Sequence, residues 1–163
     1  DGNATDVGDL TVGRYGPAGQ SSSTHGYASG GSTSTYFNTI DKFSFTADGN
    51  ATDVGDLTVA RARTAGQSSS THGYNSGGNT PTVVNTIDKF SFTTDGNATD
   101  VGDLTVGRNI GAGQSSTTHG YTSGGHGGSF TNIIDKFSFT IDGNATDVGD
   151  LTASKYAAKG TQN

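Results

Sequence analysis

The chain has 163 residues, with 27 Gly, 2 Pro, no Cys, Met or Trp, and a formal net charge of -6. Without Cys there is no disulfide framework, thiolate metal site or cysteine nucleophile. An acidic chain without clustered Lys and Arg is not built to neutralise phosphates, which excludes nucleic acid as the expected partner, and no apolar run approaches the roughly 18 residues of a membrane span, which excludes membrane insertion by a helix.

Leu, Ile, Val and Phe supply 27 of the 163 residues, less than the roughly 20% below which chains are usually disordered. Charged residues are only 15%, however, and eight Phe and six Tyr recur at regular places. The regularity is a tandem repeat. Asp-Gly-Asn-Ala-Thr-Asp-Val-Gly-Asp-Leu-Thr begins at Asp1, Asp48, Asp95 and Asp142, a period of 47 without insertion or deletion. Later in each unit come Ala-Gly-Gln-Ser-Ser (from Ala18, Ala65, Ala112), Thr-His-Gly-Tyr (Thr24, Thr71, Thr118), Ser-Gly-Gly (Ser29, Ser76, Ser123) and Asp-Lys-Phe-Ser-Phe-Thr (Asp41, Asp88, Asp135). One repeat domain over 1–163 therefore divides into full units 1–47, 48–94 and 95–141 and a truncated unit 142–163, whose tail has the character of a capping repeat.

Each unit reads as all-β. All fifteen acids are Asp and only four Leu are present, so helix formers and capping boxes are scarce. Thr, Val, Ile, Phe and Tyr alternate between Gly-Gly, Asp-Gly and Gly-Asp breakers, which predicts three to four short antiparallel strands per unit. The clearest runs from about Thr39 to Thr46, with Asp41, Phe43 and Phe45 on one face and Ile40, Lys42 and Ser44 on the other. A second covers Asp53 to Val59, anchored by Val54 and Leu57. A third, around Ser69 to Tyr74, has side chains small enough for a closely spaced inner layer and turns at Ser76-Gly77-Gly78; the alternative for this serine-rich segment is a polar loop.

The order Gly73-Tyr74-Asn75-Ser76-Gly77-Gly78, then Asn85-Thr86-Ile87-Asp88-Lys89-Phe90, then Asp100-Val101-Gly102-Asp103-Leu104-Thr105-Val106-Gly107-Arg108 resembles a kelch-type repeat. That resemblance implies four-stranded β-propeller blades. The strings DKFSF, DGNATDVGDLTV and AGQSSSTHGY are also similar to repeat modules of marine bacteriophage structural proteins. Propellers close with 4 to 8 blades, and three units and a remainder fall short of a ring. The alternative architecture is an open β-solenoid or fibre, which accepts any number of units. Either way unpaired edges remain, and the chain is expected to associate with itself.

Candidate chemistry is repeated with the unit. In the acidic nonapeptide, Asp48, Asn50 and Asp56, and likewise Asp95, Asn97 and Asp103, place oxygen ligands at part of the spacing of a calcium loop; the competing reading is a turn in which Asp and Asn bond nearby backbone amides. Calcium is the one cofactor the pattern admits. Asn3, Asn50, Asn97 and Asn144 each begin an N-glycosylation acceptor pattern. His25, His72 and His119 recur in step and could meet around a transition metal, or simply bond neighbouring Ser and Thr. Tyr27, Tyr74 and Tyr121 satisfy the demand that a lectin keep its ligand residues in every unit, a pattern that packing explains equally. No catalytic residues are assigned, because a triad needs a distinctive nucleophile rather than identical copies.

Two stretches vary while their flanks stay fixed: Tyr15-Gly16-Pro17, Ala62-Arg63-Thr64 and Asn109-Ile110-Gly111, and then 32–37, 79–84 and 126–131. These are the expected loops, where repeat proteins place binding surfaces. The composite expectation is a non-enzymatic structural or adhesive repeat protein of a virion, filament or cell surface, extracellular or virion-borne, whose partners are itself and glycans or surface proteins. The alternative is a glycan- or protein-binding module, lectin-like or kelch-like.

Overall fold

The computed structural model describes residues 2–155 and 160. Asp1 and most of the tail of the truncated unit lie outside the described residues. Among those described there are twelve strands and no helix. They form three four-stranded antiparallel sheets, each in simple meander order. The first comprises β1 (Ala18–Ser21), β2 (His25–Ser29), β3 (Thr39–Ser44) and β4 (Thr52–Asp56). The second comprises β5 (Ala65–Ser68), β6 (His72–Ser76), β7 (Thr86–Ser91) and β8 (Thr99–Asp103). The third comprises β9 (Ala112–Ser115), β10 (His119–Ser123), β11 (Ile133–Ser138) and β12 (Thr146–Asp150). The sheets are blade-like, but among the described residues they do not close a ring; they form an open row.

Each sheet straddles the sequence period, because its fourth strand comes from the acidic block that opens the next unit. A bulge in that strand shifts the register, so that Ile87 faces Gly102 while Asp88 faces Asp100. The extra residue, Val101, packs onto the core cluster beside Tyr74, as expected where a bulge re-aims a side chain. Leu57 falls beyond β4, yet it is buried in the adjoining core. The third predicted strand is displaced: β6 begins at His72, and Ser69 Oγ instead accepts the N–H groups of Thr71 and His72 at 3.3 and 3.0 Å. Such local serine bonds compete with a ladder and make a turn. The closely packed inner layer is β1, β5 and β9, where a Cβ on Gly66 would lie 2.4 Å from the Gly19 carbonyl oxygen.

Alternation along the strands sends side chains to both faces. From β7, Phe90 joins Tyr27, Ile40, Leu57 and Ala98 in the core between the first and second sheets. Ile87 joins Tyr74, Leu104, Phe137 and Ala145 between the second and third. The poverty in large apolar residues is thus met by two thin cores of the same composition. Each centres on a tyrosine: Tyr27 stacks on Phe92 with ring centroids 4.7 Å apart, and Tyr74 on Phe139 at the same distance. Such pairs contribute about 0.5–1.5 kcal/mol beyond their buried area.

Candidate interaction surface

Polar contacts between neighbouring sheets repeat with the unit. Lys42 Nζ donates to Asp95 at 2.6 Å and Lys89 Nζ to Asp142 at 2.6 Å. Near the inner edge Gln20 Nε2 donates to the Tyr74 carbonyl at 3.0 Å, and Gln67 Nε2 to the Tyr121 carbonyl at 2.9 Å. A second set is fully buried. Arg14 meets Asp41 at 3.1 Å, Arg61 meets Asp88 at 3.2 Å and Arg108 meets Asp135 at 3.0 Å, with every one of these side chains 0% exposed. Thr11, Thr58 and Thr105 each donate a hydroxyl to the same Asp at 2.7 Å. Burial holds the Arg61 and Arg108 guanidinium groups below their ordinary pKa, and Asp88 and Asp135 oppose that pull. A buried charge demands such a partner. These three pairs were not anticipated from the sequence, although its signal was there: one Asp per unit beside the Ile of the third strand, and one Arg in step with it.

The acidic block serves the same joints. Asn50 Oδ1 accepts the main-chain N–H of Asp9, Asn97 Oδ1 that of Asp56 and Asn144 Oδ1 that of Asp103, each at 3.0 Å. The carbonyls of Asp9, Asp56 and Asp103 in turn accept from Ala51, Ala98 and Ala145 at 2.8 Å. Asp95 is held by Lys42, while Asp48, its counterpart in the first sheet, is exposed. Among the described residues no three His or Asp side chains converge on one point. Asn3, Asn50, Asn97 and Asn144 are all exposed.

His25, His72 and His119 stay apart, each with Nδ1 within 2.8–2.9 Å of the hydroxyl of the preceding threonine, Thr24, Thr71 or Thr118. Burial and the nearby Lys89 push the His72 pKa below its ordinary value. Tyr27 and Tyr74 are 3% and 1% exposed, inside the two cores, whereas Tyr121 is only half-buried.

The varied stretches come together. Tyr15 bridges to Ser32 and Ser32 to Tyr36; Ala62 to Asn79 and Asn79 to Val83; Asn109 to His126 and His126 to Phe130. Both varied segments of a unit therefore sit at one end of its sheet, opposite the serine turns that join the first two strands. They are also tied across units, Asn79 Nδ2 donating to the Tyr36 hydroxyl at 2.8 Å and Asn109 Nδ2 to Asn79 Oδ1 at 3.3 Å. The result is a continuous rim carrying exposed Tyr15 and Phe130. Tyr15, Thr33, Tyr36, Arg63 and Asn79 line a groove of about 190 Å³ on it. Fixed residues build most of the joints; the two long varied stretches share one edge. No protein-family model matches the chain, and no curated protein matches it in sequence.

Proposed function

We propose that this is a non-enzymatic structural or adhesive repeat scaffold, of a virion, filament or cell surface, that associates with copies of itself and offers its varied rim to outside partners. The observation that carries this reading is the segregation just described: most bonds in the joints between sheets are duplicated at the same positions, and the two long varied stretches of each unit share one edge. Duplicated side chains with bonded partners have a holding role, and a scaffold gains from such uniformity where an active site needs one distinctive constellation. Sedimentation velocity and negative-stain electron microscopy of the purified chain test the proposal. Concentration-dependent strings or rings of the 16.4 kDa chain are expected, and an isolated monomer at every concentration refutes self-association.

A second reading, glycan or protein binding, is favoured by the rim groove, where Tyr15 and Tyr36 stand beside the hydroxyls and amide of Ser32, Thr33 and Asn79. An aromatic face with convergent polar groups is the usual make-up of a small-ligand site. Glycan-array screening followed by calorimetry decides it: saturable binding lost in Tyr15→Ala supports this reading, and no binding to any array member removes glycans from it.

A further inference from the structure

The joint between sheets is made twice inside the chain, and among the described residues each of its halves is also present with no sheet across it, the third sheet carrying there only residues 151–155 and Gly160 of its own chain. On the first sheet, Phe43 and Phe45 are 36% and 53% exposed, their rings in the same edge-on arrangement, 5.9 Å apart, as Phe90 with Phe92 at 5.8 Å. In the two internal joints that pair receives a tyrosine. Here Val7, Leu10, Phe43, Ala47 and Ala51 line a groove of about 210 Å³ at the corresponding place. On the third sheet stands the unused counterpart, Tyr121, half-buried and stacked on no phenylalanine of a following sheet.

The polar groups match in the same way. Lys42 and Lys89 are ion-paired to the next acidic block, while Lys136 has no ion-pair partner among the described residues, and neither has Asp48. Gln67 reaches across its joint to the Tyr121 carbonyl, whereas among the described residues Gln114 bonds Ser123 of its own sheet. One contact is not reproduced: Ser29 and Ser76 meet Asn75 and Thr122, and Ser123 would meet Ala28, which has no polar side chain.

We propose that a second copy of this chain docks head to tail on these faces, with Tyr121 of one molecule entering the groove beside Phe43 of the next and Lys136 pairing with Asp48. The inference rests on the self-association proposed above and specifies its geometry. It also requires a strand exchange. Residues 1–11 and 142–152 are the same eleven residues, and both would fill the outer position of the new joint, so one of them must leave; if it is the latter, residues 153–155 and Gly160 leave with it, since the Lys155 carbonyl accepts the Gly125 N–H and Gly160 packs on Gly113.

Residues 2–14 are anchored to the first sheet by the buried Arg14–Asp41 pair, two bonds from Thr11 to Asp41, and the Val7 and Asp9 carbonyls that accept from Gly49 and Ala51. Every residue of β12 is exposed, as is every one of residues 4–9, but among the described residues Thr152 and Lys155, which follow β12, have no counterpart of the Thr11 and Arg14 bonds to Asp41. β12 is therefore the strand that yields. Residues 4–9 of the incoming molecule then take its place on β11, in the register of β12: Thr5 opposite Lys136, Asp6 opposite Asp135 and Asp9 opposite Ile133, as Thr146, Asp147 and Asp150 are now. Their local shape is already set, since Gly8 N–H donates to Asp6 Oδ1 at 3.1 Å as Gly149 N–H does to Asp147 Oδ1 at 3.0 Å. The exchange conserves ladder bonds, as in domain swapping, and the head-to-tail sense gives open strings unless the rotation closes.

The natural chain has no Cys, which allows a direct test on full-length protein. Asp9→Cys and Ile133→Cys variants are mixed under mild oxidation; facing strand positions lie within disulfide reach. The expected product is a 9–133 link between two molecules, identified by peptide mass spectrometry. Phe45→Ala, in which an exposed ring is removed, should weaken assembly about tenfold or more, the usual scale for an aromatic anchor, while leaving the melting temperature of the monomer unchanged. Assembly that proceeds without a 9–133 link and is insensitive to Phe45→Ala overturns the head-to-tail joint but leaves self-association standing. A 133–133 link instead indicates a symmetric pairing and also overturns it. A chain that remains monomeric refutes both.

Discussion

Asp88→Ala tests the buried pairs most directly. Asp88 accepts the Thr58 N–H at 2.9 Å and its hydroxyl at 2.7 Å and meets Arg61 at 3.2 Å. Both charged side chains are 0% exposed, and the Nε and Nη1 atoms of Arg61 already lack a hydrogen-bond partner. Truncating the carboxylate leaves a guanidinium without compensation in the joint between the first two sheets, a loss of about 3–5 kcal/mol. For a slope of about 2 kcal/mol per molar urea, the unfolding midpoint falls by roughly 2 M. Urea titration followed by far-ultraviolet circular dichroism measures it. The companion variant Asp88→Ala/Arg61→Met removes both charges and should recover to within about 1 kcal/mol of the parent, because replacing a buried pair by apolar groups is often neutral. A midpoint for Asp88→Ala within about 0.3 M of the parent, or a double variant less stable than the single one, refutes the claim that the carboxylate is there to compensate the buried arginine.

The inner glycines give a paired comparison: Gly66→Ala brings a Cβ to 2.4 Å from the Gly19 carbonyl, while a Cβ on Gly19 meets nothing within 4 Å. The first should cost about 1–3 kcal/mol by overpacking and the second less than about 0.5, readable as melting temperatures. Burial and the nearby Asp142 push the Tyr74 pKa from 10.0 up to about 12. Since the folded state holds that proton more tightly, its contribution to stability is fully present below pH 10 and lost as pH rises toward 12; absorbance titration should show a late phase that Tyr74→Phe removes. Asn97→Ala deprives the Asp56 N–H of its acceptor and should lower stability by about 0.5–1.5 kcal/mol. Adding calcium to the parent chain tests the calcium-loop spacing of the acidic block: the turn reading expects an unchanged melting temperature, and a rise shows cation binding.

The sequence exposes the period and the strands readily, because both are properties of spacing. Asp41, Phe43 and Phe45 do share a face, and the Ser76-Gly77-Gly78 turn lies where it is expected, with φ of 64° and 104° at its two glycines. What spacing does not convey is which sheet a side chain serves. Asn50, Asn97 and Asn144 look like turn or calcium ligands locally, yet each bonds a residue 41 positions earlier in the neighbouring sheet. The inner layer was misplaced for a related reason: serine is small enough to line it, but Ser69 spends its hydroxyl on the turn, and the glycines at 19, 66 and 113 do the close packing. The two varied stretches read as separate loops because their pairing, Ala62 with Asn79, depends on the meander bringing both to one end of the sheet.

The linker after each fourth strand couples the stability of neighbouring sheets. Arg61 follows β4, accepts the Gly31 N–H through its carbonyl, and sends its guanidinium to Asp88 and to the Asn75 carbonyl of the second sheet. Opening the second sheet therefore separates Arg61 from Asp88 and disturbs the linker that also bonds the first sheet. In the nearest-neighbour description of repeat proteins, the interface energy is then large relative to that of the single unit, and partly unfolded species are correspondingly rare. Hydrogen exchange across β2, β6 and β10 should accordingly report one shared opening rather than three independent ones.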